Sequence, residues 1–130
     1  MVNQLRTVDL SSPAPISLVD VIDGGALERN AAWSPDGTQV LFALGLFGGG
    51  DSFTSLMLKV HDSGGTVSDI GPAPSAGGQL VDINWCTPEL SLVTVRAASS
   101  MFELYMVDVT SGASSLVVSD VGVHVLGCVP

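Results

Sequence analysis

The feature that most constrains this chain is that it resembles itself at intervals of about 42 to 52 residues. Leu5-Arg6-Thr7-Val8-Asp9-Leu10-Ser11-Ser12 aligns with Leu104-Tyr105-Met106-Val107-Asp108-Val109-Thr110-Ser111. Between them, Leu58-Lys59-Val60-His61-Asp62-Ser63-Gly64 holds the same place. Each copy is followed by a second apolar stretch, at residues 16–19, 66–70 or 116–118, and then by a segment ending near Trp33, Trp85 or Cys128. A chain built this way must bury the faces of each repeat against its neighbours.

The local pattern sets what the repeats are made of. Short runs rich in Val, Ile, Leu and Thr occur at 5–10, 16–21, 39–44, 56–60, 66–70, 80–85, 90–95, 103–109, 115–118 and 121–126. Most are bounded by turn-forming clusters such as Asp23-Gly24-Gly25, Ser34-Pro35-Asp36-Gly37 and Ser63-Gly64-Gly65. No window carries a sustained apolar stripe at helical spacing, and 15 glycines disfavour helix throughout. The predicted class is all-β, in four-stranded antiparallel repeats. A repeat of about four strands points to β-propeller blades, about three of them in this chain.

Composition narrows the function classes. At 130 residues one domain is expected. A hydrophobic fraction of 46% and a mean hydropathy of +0.49 are those of a chain with a core. The longest near-apolar run, 40–47, is far too short for a membrane-spanning helix, so no membrane insertion is expected. The first residues carry no secretory-signal pattern. Net charge is −9, from 4 Lys plus Arg against 13 Asp plus Glu, which repels phosphate backbones and excludes nucleic acid as an expected partner. The acidic residues are scattered singly, as on a solvated loop-rich surface.

Residues 31–42 read Ala-Ala-Trp-Ser-Pro-Asp-Gly-Thr-Gln-Val-Leu-Phe. Pro35 presets the backbone of the first central turn position, Asp36 offers a side-chain acceptor, and Gly37 is free to take positive φ. Trp33 ends the preceding strand, where its ring can fill a wedge between neighbouring sheets. This Trp33-Ser34-Pro35-Asp36-Gly37 segment resembles the repeat of TolB-like, WD40-like six-bladed β-propellers. Asn84-Trp85-Cys86-Thr87-Pro88-Glu89 is a degenerate second copy, and Gly127-Cys128-Val129-Pro130 hints at a third. The resemblance covers nearly the whole chain and speaks to fold more than to activity. It implies that residues 1–25 are the outer strands of a first blade, 26–72 and 79–120 are whole blades, and 121–130 holds the inner strand of the next. It also implies a periplasmic or extracellular setting.

Candidate chemistry is sparse. His61 and His124 lack a second ligand at a metal-binding spacing. His61 stands beside Asp62 at a turn, whereas His124 alternates with Val123 and Val125 and is the one candidate for facing a central channel. No Gly-x-Ser-x-Gly elbow is present, and Asp51, Asp62, Asp69 and Asp82 do not have a calcium-loop spacing. Gly48-Gly49-Gly50 lacks the lysine of a phosphate loop and reads as a flexible tip. Cys86 and Cys128 occupy matching places in successive repeats, which favours two free thiols over a bridge, since such positions need not meet.

The expected function is therefore a non-enzymatic interaction or structural module without a cofactor or metal. Its expected partner is a further copy of itself completing the ring, or another protein. Two other readings remain open: part of the accessory propeller of a larger enzyme, such as a prolyl-oligopeptidase-like peptidase, and a small-ligand or carbohydrate binder.

Overall fold

A computed structural model describes residues 3–9, 12–21, 25–47, 53–72, 79–97, 101–123, 125 and 127–129. They form ten β-strands with no helix among them. A two-stranded antiparallel sheet pairs β1 (Asn3–Asp9) with β2 (Ser12–Val21). Next come β3 (Gly25–Trp33), β4 (Val40–Phe47), β5 (Phe53–His61) and β6 (Val67–Pro72), joined in chain order as one four-stranded antiparallel sheet. A second such sheet holds β7 (Gln79–Trp85), β8 (Leu90–Arg96), β9 (Phe102–Asp108) and β10 (Ser114–Asp120), again in chain order.

The two four-stranded sheets share one register. In the first, Trp33, Val40, His61 and Val67 lie in a row across the strands. In the second, the corresponding row is Trp85, Ser91, Val107 and Ser114. The next row pairs Leu41 with Val60 in the first sheet and Leu92 with Met106 in the second. Because side chains alternate between faces along a strand, these rows assign the residues of the central strands near them to a face.

That assignment shows how the sheets stack. Leu41, Ala43, Leu58 and Val60 of the first sheet pack against Ile83, Trp85, Val93, Val95 and Val107 of the second, all buried in one core. The residues of the second sheet corresponding to Leu41, Ala43, Leu58 and Val60 are Leu92, Thr94, Leu104 and Met106, which lie on its opposite, outer face. Each sheet thus offers its neighbour a different face, as successive members of a stack do, and a two-fold pairing would not. First strand runs beside first strand, β3 against β7. At the far edge the turn after β9 meets β6: Gly112 has φ +76°, and a Cβ there would run into the Ile70 carbonyl. Glycine alone permits that approach.

Three departures from the sequence reading have physical causes. β3 runs through the polar stretch Leu27-Glu28-Arg29-Asn30, which has no apolar alternation to announce a strand; its register with β4 shifts between Leu27 and Ala31. The expected strand at 121–126 is not formed by its described residues, 121–123 and 125. Among these residues, backbone bonding is confined to the Val121 amide donating to the Asp120 carboxylate, so no ladder holds them extended. Lastly, Cys86 and Cys128 are joined in a disulfide with a Cα separation of 5.3 Å, not left as free thiols. The residues after β10 turn back to the β7–β8 turn, so the two cysteines meet although their places in the repeat differ by one period.

Candidate functional site

The Ser34-Pro35-Asp36-Gly37 turn is tied by its own side chains. Ser34 is buried, and its Oγ accepts from the amides of Thr38 (3.2 Å) and Gln39 (2.9 Å) while donating to Asp36 Oδ1 (2.6 Å). The same Asp36 oxygen accepts from the amide and the hydroxyl of Thr38, at 3.0 and 2.8 Å. Gly37 takes φ +73° and donates its amide to the Ser34 carbonyl. These donors, the Ser34 hydroxyl first, hold the Asp36 carboxyl below its ordinary range. Asp108 is lowered likewise, by the Ser111 and Thr110 amides. Both carboxylates tie their turns through Oδ1.

This turn braces the neighbouring sheet. Trp85 is 9% exposed and lies between the two sheets beside Ser34, Pro35, Asp36 and Gln39. A cleft of about 200 Å³ adjoins it, with Gln39, Val60, Asp62, Pro88 and Thr110 among its walls. The indole Nε1 is itself sealed from solvent and has no hydrogen-bond partner. The cleft's polar groups therefore do not converge on that donor, which argues against a ligand seat there. Trp33, at the matching place in the first sheet, is 53% exposed. The wedge expected of both rings is filled by Trp85 only. The sheet that contacts β3 on its other side, β1–β2, is two-stranded.

The sequence-derived histidines do not assemble a site. His61 ends β5 half-buried, and Asp62 beside it closes a turn by accepting from the Gly64 and Thr66 amides, both at 2.9 Å. His124, Asp51 and residues 48–50 fall outside the described residues. Among the described residues no group of three or more His, Cys, Asp or Glu side chains converges. Asp69 instead pairs with Lys59 across β5 and β6 at 2.5 Å, on the surface.

What sequence reasoning missed is the outer face of the second sheet. Leu90 and Met106 are more than a third exposed there, with Leu92 and Leu104 half-buried between them. Gly127, Cys128 and Val129 lie over this face, completing a groove of about 270 Å³ with Cys86, Leu92 and Met106. At the edge, β10 is exposed along its whole length and carries Leu116, Val117 and Val118. The signal was present in the near-continuous apolar run of β8, which suits a strand covered on both faces. Such an apolar face next to an open strand edge is chemically suited to receive another β-sheet. Comparison of the chain with protein-family models, curated proteins and solved structures returned no match.

Proposed function

We propose that this chain is a TolB-like β-propeller segment that acts as a non-enzymatic interaction or structural module, closing its stack of sheets with a second copy. The observation that carries the reading is the unlike-face stacking of two sheets with one register, which leaves on the second sheet a face equivalent to the one already covered on the first. A repeat of this kind buries its apolar faces only by stacking, so an uncovered end favours association. Four-stranded sheets of about this size fit a ring, and about three repeats per chain make a six-bladed dimer the simplest symmetric closure. The exposed strand β10 and the half-exposed Trp33 at the other end support the same reading.

Light scattering coupled to size exclusion tests it. The expected result at micromolar concentration is a discrete oligomer, with a dimer as the simplest case. A folded, monodisperse species of one chain mass, 13.3 kDa, would overturn it.

A further inference from the structure

The groove on the outer face of the second sheet has the walls of a tryptophan site, but glycine stands where the tryptophan would be. The filled counterpart lies on the first sheet. There the Ser34 amide donates to the Gln39 carbonyl to close the β3–β4 turn, and Trp85 stands beside both residues. Leu41 and Val60, paired across β4 and β5, belong to the same buried core as the Trp85 ring. In the second sheet the Cys86 amide makes the same bond to the Leu90 carbonyl, and Leu92 pairs with Met106 across β8 and β9. Cys86, Leu90, Leu92 and Met106 are thus the counterparts of Ser34, Gln39, Leu41 and Val60, and all four line the groove.

The difference between the two sites is written in the sequence. Where the first two repeats read Trp33-Ser34 and Trp85-Cys86, the third reads Gly127-Cys128. The Cys86–Cys128 bond holds Gly127 at the groove wall, where a Cβ would meet nothing within 4 Å. The space of about 270 Å³ is large enough for one indole ring. Trp85 is buried, whereas Trp33, the chain's other tryptophan, is 53% exposed. It lies on the face of the first sheet turned away from the second, and Val67 in the same row is exposed as well.

We propose that this groove receives the Trp33 side chain of a second copy. The inference rests on the reading of the chain as a stack closed by a second copy, and it names the residues that meet. The occupant is a second copy because the contact repeats one the chain already makes. Trp33 holds the place in its sheet that Trp85 holds in the next, and the groove repeats the walls around Trp85. Under two-fold symmetry each copy gives one ring and takes one, so both grooves are filled and neither ring is left in solvent. An aromatic anchor desolvated in a pocket of this kind carries much of the affinity of an interface.

Sedimentation equilibrium on the native chain, Trp33→Ala, Met106→Lys and the double variant tests the contact, with circular dichroism checking the fold. Both side chains are more than a third exposed in the single chain, so neither change removes core packing. Each single variant is expected to weaken association about 30-fold or more. Because the two changes remove one shared contact, the loss in the double variant should fall well short of the product of the single losses. Should one variant unfold, the other decides alone. Association of native strength in a folded single variant, or losses that multiply in the double variant, would overturn the proposed contact. A native chain that stays monomeric would instead overturn the reading on which it rests, and the contact with it.

Discussion

Replacing Trp85 with alanine is expected to cost about 3–5 kcal/mol of folding stability, and the same change at Trp33 about 1 kcal/mol or less in the isolated chain. The two tryptophans hold the same place in the repeat, so their sequence context predicts similar effects. Their surroundings differ. Trp85 is clamped between sheets beside the Ser34–Gln39 turn, and truncation there leaves a cavity next to an existing cleft. The ring of Trp33 is more than half in solvent. Trp85→Phe should cost less than Trp85→Ala, because most of the ring contact survives and a sealed, unpaired N–H is removed. Urea unfolding of the three variants under dissociating conditions gives the comparison. Equal losses at Trp33 and Trp85 would contradict the stacking described here.

The second large effect belongs to the disulfide. It closes a loop spanning 42 residues, for which restriction of the unfolded chain contributes about 4 kcal/mol. For a domain whose total stability is on the order of 5–15 kcal/mol, this is a major share. The paired variant Cys86→Ser/Cys128→Ser should lower the urea midpoint accordingly, and reduction of the native chain should have the same effect. A change below about 1 kcal/mol would mean that the tail is unconstrained in the native protein. The loop encloses β8, β9 and β10, so the loss should fall on the second sheet first. Amide exchange in β10 is the local readout.

Much of the fold was legible because it follows from local chemistry. Alternating β-branched residues between Gly, Asp and Pro clusters specify short antiparallel strands, and the Ser34-Pro35-Asp36-Gly37 segment carries its own hydrogen-bond closure. β3 was harder to see: Glu28-Arg29-Asn30 gives no apolar period, and the strand pairs with β4 on either side of these three residues, at 25–27 and 31–33. The disulfide was illegible for a different reason. Equivalent residues in stacked sheets are normally separated by the roughly 10 Å between layers, too far for a bridge. Cys128 reaches Cys86 because it belongs to a segment that lies directly on the sheet. The exposed outer face was hidden in the same way, since Leu92 and Met106 read as core until the stacking sense shows which side of the second sheet is covered.

The central claim is that this stack ends in faces that a second copy covers, and Trp33 reports on it directly. In Trp85→Phe, Trp33 is the sole tryptophan. On the proposed reading, the turn that braces Trp85 within the chain has its counterpart for Trp33 in a second copy, so association buries the ring. Emission of Trp85→Phe should be blue-shifted at micromolar concentration and move to the red on dilution, in step with the loss of oligomer mass. Solvent-exposed emission that stays unchanged across the whole concentration range would contradict the account.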